Sequence, residues 1–184
     1  METEAVTRRM QPVIEAQRVT LRPLRQSDIG LLELYAGDRR VSEFTRSIPH
    51  PLPPGATEAF VRRSQSDTRS EDVWAMDGSQ SGLGELVGTI ALDRMRDGPP
   101  NQLEIGYWVA PAMWNTGLAS EALGALLTAN PLSAETIFAS VFQDNPRSAR
   151  VLTNAGFAYL GDAEAFSVSR NAKVLTWTYL KKLA

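Results

Sequence analysis

The chain has 184 residues, 43% of them hydrophobic, which suits one domain with a substantial core rather than two. A formal net charge of −2 creates no global field to draw nucleic acid or a membrane surface. The absence of cysteine removes disulfides, thiolate nucleophiles and cysteine-held metals, and the single His50 cannot build a multi-histidine metal site. No apolar run approaches the ~20 residues that span a bilayer, and Met1 to Arg9 lacks the apolar stretch of a secretion signal, so a cytoplasmic protein is expected.

Residues 1 to 17 show no clear periodicity and are expected to form an arm ahead of a single domain at 18 to 184. Val19 to Leu24 alternates like a strand, with Arg18, Arg22 and Arg25 interleaved. Ser27 is a plausible N-cap for a helix to about Asp38, and Thr57 for a second helix to about Ser70. Between them, residues 47 to 56 hold four prolines and a glycine, which predicts a loop. Val73 to Met76 and Glu85 to Leu92 read as a hairpin. Gly82, Gly84 and Gly88 have the wrong spacing and place for a dinucleotide fingerprint and read as turn glycines.

Leu103 to Val109 is apolar and aromatic with β-branched residues, the pattern of a strand buried on most of both faces. Pro111 ends it. From Gly117 to Ala129 the residues favour a helix, with Leu118, Ala122 and Ala125 on one face, and Asn130-Pro131 stops it. The loop Trp114 to Ser120 therefore presents the first free N–H groups of a helix, which together with the helix dipole favour a phosphate. It lacks the lysine of a P-loop. Thr136 to Phe142 gives the next strand. Asn145 as N-cap, Pro146 at the first helical position and Gly156 just past the end delimit another helix. Phe157 to Leu160 and Val174 to Leu180 close the chain as strands, with a turn at Arg170-Asn171.

Gly106-Tyr-Trp-Val109 followed by Trp114-Asn-Thr-Gly-Leu-Ala-Ser-Glu-Ala122 resembles the core of the GCN5-related N-acetyltransferases (GNATs). Within them it is most similar to the RimJ/RimL-like branch of ribosomal-protein N-terminal acetyltransferases. In that family a Gln/Arg-x-x-Gly-x-Gly/Ala loop binds the pyrophosphate of acetyl-coenzyme A. Trp114 stands where Gln or Arg usually leads, so the resemblance leaves the cradle to the backbone amides of Asn115, Thr116, Gly117, Leu118, Ala119 and Ser120. A second stretch, Asn145-Pro-Arg-Ser148-Ala-Arg-Val-Leu152-Thr-Asn-Ala-Gly156-Phe157, resembles the Asn-x-x-Ser…Leu-x-x-x-Gly-Phe segment of RimL-like enzymes. The order of elements fits over nearly all of residues 18 to 184. The implied fold is an α/β GNAT domain, whose mostly antiparallel sheet of six to seven strands splays at the central strand, beside about four helices.

The resemblance also implies a chemistry, with acetyl-coenzyme A as co-substrate, no metal, and a primary amine as acceptor. The acceptor would be a protein N-terminus or a small molecule, with no nucleic acid and no membrane, and a homodimer stays open. At a bulge in the central strand, the backbone of Trp108 and Val109 would meet pantetheine and the thioester carbonyl. The side chains of Tyr107, Trp108 and Trp114 also read as ordinary core aromatics. Glu104 shares a strand face with Gly106 and Trp108. A carboxylate there would be costly unless paired, solvated or functional. It reads either as a general base, its pKa raised by burial towards ~6–7, or as an ion-pair partner of Arg94 or Arg96.

Many GNATs protonate the leaving thiolate from a tyrosine at the position held here by Leu152. Ser148 is the substitute that the RimL-like branch suggests, against a reading as a first-turn serine bonded to the backbone. Asn145 is both a cap and, by resemblance, a pantetheine contact. His50 would lie near the acceptor or be an ordinary loop residue, and Arg62 and Arg63 read as a solvated helix face. The rival to an enzyme is a non-catalytic acyl-coenzyme A-binding or partner-binding module on the same fold.

Overall fold

The computed structural model describes residues 10–183. Its eight-stranded sheet contains β1 (Ile14–Glu15), β2 (Thr20–Pro23), β3 (Glu71–Asp77), β4 (Gly88–Arg94), β5 (Gln102–Val109), β6 (Thr136–Phe142), β7 (Ala158–Ser167) and β8 (Ala172–Lys182). The spatial order is β1-β2-β3-β4-β5-β6-β8-β7, and all neighbours are antiparallel except β5 and β6. Among the described residues five α-helices flank it: α1 (Ile29–Ala36), α2 (Arg39–Ser42), α3 (Ala56–Ser64), α4 (Leu118–Ala129) and α5 (Pro146–Asn154).

Both faces of the sheet are covered, which explains why the middle strands read as unbroken apolar runs. Trp74, Met76, Ile90, Leu92, Leu103 and Ile105 point to one side, against Leu118, Ala122, Leu123 and Leu126 of α4 and Leu152 of α5. Val73, Ala75 and Ala91 point to the other, against Leu32 of α1 and Val61 of α3. Asn145 caps α5 as its spacing predicts, its side chain accepting from the Ser148 amide, with Pro146 at the first position.

Several local expectations are corrected by packing. Part of the expected arm joins the sheet: Ile14 pairs with Leu21, and the Trp74 indole donates to the Pro12 carbonyl. Ser27 does not cap α1. A 3-10 turn at Gln26–Asp28 precedes the helix, because the buried Arg22 needs the Asp28 carboxylate, which also accepts from the Arg25 amide. Asp38 begins the separate short α2 by accepting from the Arg40 amide. Gly55 in the left-handed region, not Thr57, starts α3, which ends at Ser64. Gly82 and Gly84 do sit in the turn at positive φ. Gly88 instead opens β4, where a Cβ would collide with the Trp108 carbonyl oxygen. Its role is close approach of β4 to β5. The last two strands run longer than their apolar cores suggested, since β7 is an exposed edge carrying polar residues.

One feature of the topology matters most. β5 stays paired with β4 out to Val109 with Gly88, yet it pairs with β6 only from Gln102 with Thr136 to Ile105 with Ala139. Beyond that point β6 continues alongside β8 to Phe142 with Thr176, leaving an opening between β5 and β6. The register of β4 and β5 is continuous, so no bulge interrupts that ladder, and the opening arises where β6 diverges.

Candidate active site

A cleft of about 610 Å³ passes through this opening and is lined from both faces of the sheet. It brings together Glu104, Trp108, Val109, Asn115, Gly117, Leu118, Ala119, Ser120, Asn145 and Ser148 from widely separated stretches of sequence. Thr116 is outside the lining: its hydroxyl donates to the Met113 carbonyl and its own carbonyl accepts from Arg18.

On the α4 side, Gly117 adopts φ +82°, and no side chain caps the first turn of the twelve-residue helix. Its leading amides therefore face the cleft without a competing side-chain acceptor. Leu118 is buried in the core, so only its backbone is available there. The turn is braced from behind. Glu121 accepts from the Arg18 and Val19 amides and from the Arg18 guanidinium, which also donates to the Thr116 carbonyl. Burial pushes the Glu121 carboxyl up, but these donors outweigh it and hold the group below its ordinary value. Trp114 donates its indole N–H to the Val109 carbonyl at 2.8 Å, while the Arg147 guanidinium lies 5.0 Å from the centre of its ring. A cation thus stands where the family loop would carry Gln or Arg, delivered from α5.

Ser148 lies in the first turn of α5. Its amide is held by Asn145, and its hydroxyl meets the Tyr107 hydroxyl at 3.0 Å rather than a backbone N–H. Leu152, one turn further on, is fully buried.

On the opposite face Glu104, Gly106 and Trp108 follow one another along β5, as their alternation requires. Nothing lies within 4 Å of where a Gly106 Cβ would be, so the glycine keeps a gap between carboxylate and indole. Glu104 is ion-paired with Arg46, a residue of the loop after α2. The expected partners are wrong for a simple reason. Asp93, not Arg94, stands opposite Glu104 in register, and Arg94 bonds Asp72 and the Ser70 carbonyl instead. Arg46 is held in place by the β7–β8 turn: Val168 donates to its carbonyl, and Arg170 bonds the Glu43 carbonyl while packing on Phe44 and Phe142.

Glu71, Asp93 and Glu104 form a row across β3, β4 and β5. Burial, then the Asp93 charge, push the Glu71 carboxyl up, and burial does the same to Asp93. His50 contacts the Gly37 carbonyl and is absent from the cleft lining. No sequence pattern marked Arg46 or Arg147 for the site. The side of β5 from which Tyr107 reaches α5 was accessible from strand alternation alone. Among the described residues no group of His, Cys, Asp or Glu could hold a metal ion, and no helix is long and apolar enough to cross a membrane.

A sheet parted beside its central strand, with an uncapped helix N-terminus at one mouth of the cleft and a carboxylate at the other, can accept a phosphate-bearing ligand at the helix end. Residues 18–158 match the family model described as an acetyltransferase (GNAT) domain. The chain belongs to that family and is an acetyl-coenzyme A-dependent acetyltransferase. It is 26% identical over 155 residues to an uncharacterised N-acetyltransferase of Bacillus subtilis, YoaA, covering 80% of this chain and 84% of that one. The fold is shared with a GNAT-family acetyltransferase from Bacillus anthracis at TM-score 0.76 and 22% identity, covering 93% and 98% of the two chains. It is shared equally with Mycobacterium smegmatis RimJ in complex with CoA-disulfide, at TM-score 0.78 and 19% identity, covering 93% and 87%.

The residues present fit the coenzyme. The amide-rich turn at Asn115 to Ser120 would take the pyrophosphate, Arg147 adds positive charge beside it, and the gap at Gly106 leaves backbone open where a side chain would fill it.

Proposed function

We propose that this protein acetylates a primary amine by direct attack of the amine on acetyl-coenzyme A, both reactants being bound at once. The observation that carries the reading is the cleft running through the sheet, with the amide-rich turn and Ser148 on one side and Glu104 on the other. Acetyl-coenzyme A supplies an activated thioester carbonyl. The Trp108–Val109 backbone, beyond the last β5–β6 pair, would donate an N–H to the charge that grows on the carbonyl oxygen. Glu104, directly or through one water, would take the proton that nitrogen loses as the C–N bond forms. Ser148 would hydrogen-bond the sulfur as the C–S bond breaks, and the one proton that sulfur gains balances the one nitrogen gives up. The likeness to the RimJ/RimL branch favours a protein α-amine as the acceptor over a small amine.

The direct test is release of free thiol from acetyl-coenzyme A with a panel of peptide α-amines, lysine side chains and small polyamines. Turnover with at least one class, fastest with α-amines, is expected. Tight binding of the coenzyme with no thiol release for any amine would instead support the non-catalytic binding module.

A further inference from the structure

We propose that Tyr107 is a positioning residue for Ser148, controlling where the serine hydroxyl points its proton. The inference rests on the reading of Ser148 as hydrogen-bond donor to the leaving sulfur. Tyr107 sits on β5 on the side facing α5, opposite Glu104 and Trp108, and its hydroxyl reaches across the opening to the first turn of that helix. There it meets two oxygens of one residue, the Ser148 hydroxyl at 3.0 Å and the Ser148 carbonyl at 3.2 Å. The phenol has one proton for these two acceptors. When the phenol donates to the carbonyl, the serine proton turns back onto the phenolic oxygen and away from the cleft. When the phenol donates to the serine oxygen, the serine proton is released towards the cleft.

The second arrangement also makes a better donor of the serine, because a hydroxyl that accepts a hydrogen bond donates more strongly in turn. The Ser148 amide is tied to the Asn145 side chain, which holds the backbone that carries the hydroxyl. Burial pushes the Tyr107 phenol up to about 12, against the opposing pull of its bond to Ser148, so it keeps its proton across the working range. Leu152 is packed in the core and brings no hydroxyl to this end of α5. The strand, not the helix, supplies the phenol.

Tyr107→Phe tests this together with Ser148→Ala and the double variant, each measured for kcat and for KM of acetyl-coenzyme A. Tyr107→Phe should lower kcat about tenfold, the worth of one polar contact, with KM changed less than twofold. Ser148→Ala should cost roughly 10²-fold, and the double variant should be no slower than Ser148→Ala alone. If Ser148→Ala keeps the parent kcat, the reading of Ser148 fails. If Ser148→Ala is slow but Tyr107→Phe matches the parent, or the two losses multiply, the inference about Tyr107 is overturned while Ser148 stands. Should Tyr107→Phe fold poorly, a multiply fluorinated tyrosine at 107 keeps the shape and makes the phenol far more acidic. It should bring an alkaline loss of kcat into the accessible pH range, and a profile unchanged from the parent would overturn the proposal.

Discussion

Glu104 and Glu71 face the same cleft in different circumstances. Glu104 has an Arg46 partner that can swing away, since the arginine side chain is half exposed. If Glu104 is the base, Glu104→Gln keeps the shape and leaves only the amine's own titration in the pH profile of kcat/KM. The variant should be slow at pH 7 and recover partly near pH 9. Recovery should be greater for an α-amine, which titrates near ~8, than for lysine near ~10.4. A profile identical to the parent's would make Glu104 structural. Glu71 is half-buried beside Asp93, and its raised pKa means that folding favours its protonated form. The stability this group offers is thus present below the ordinary carboxylate pKa and lost as pH rises through the raised one. Glu71→Gln should therefore melt above the parent at pH 7, and the difference should shrink towards pH 4 in thermal melts at both values.

At the level of elements, the turn at Asn115 to Ser120 and the cap of α5 could be read from sequence because their signals are local: a glycine at a helix start, and Asn-Pro three residues before a serine. The opening itself depends on where β6 leaves β5 for β8, a matter of partner choice between distant strands that no local pattern records. The same blindness hid the ion-pair partner of Glu104. Alternation placed the carboxylate on the right face, but only the register shows that Arg94 faces away and that a loop arginine fills the space. Arg22 shows a third kind of failure. Ser27 has better local credentials as a cap, yet no side chain caps α1: the Asp28 carboxylate at its start is turned to the buried Arg22 guanidinium, which must be paired. Within β5, Gly106→Val separates site from scaffold. A valine there meets open space, so Tm should stay within about 2 °C of the parent, while kcat/KM falls at least tenfold as the passage narrows. A large drop in Tm would show instead that the glycine serves the sheet.

For the molecule as a whole, the mostly antiparallel sheet and the covering of both faces follow from the apolar runs and the family likeness. The join of the N-terminal lead-in to β2 does not, because that stretch has no periodicity to mark a strand. Nor does the fastening of the Arg46 loop by the far hairpin, which brings together segments 127 residues apart. Within the sheet, the pairing between β5 and β6 extends over only four register pairs, from Gln102 with Thr136 to Ile105 with Ala139. A five-strand wing and a three-strand wing are thus sewn together by a short seam, and the rest of the gap is bridged by helices, the Tyr107–Ser148 contact and the Arg46 loop. A coenzyme lodged in that gap would act as extra stitching, so its binding energy would appear as mechanical continuity between the wings as well as occupancy. Saturation at about a hundredfold over Kd adds roughly 2.7 kcal/mol to the global unfolding free energy. Amide exchange should show where that energy goes: on loading, Gly106 to Trp108 and Ser140 to Phe142 should slow together, one on each side of the seam. Slowing confined to one wing would mean that the coenzyme rests on the sheet without joining its halves.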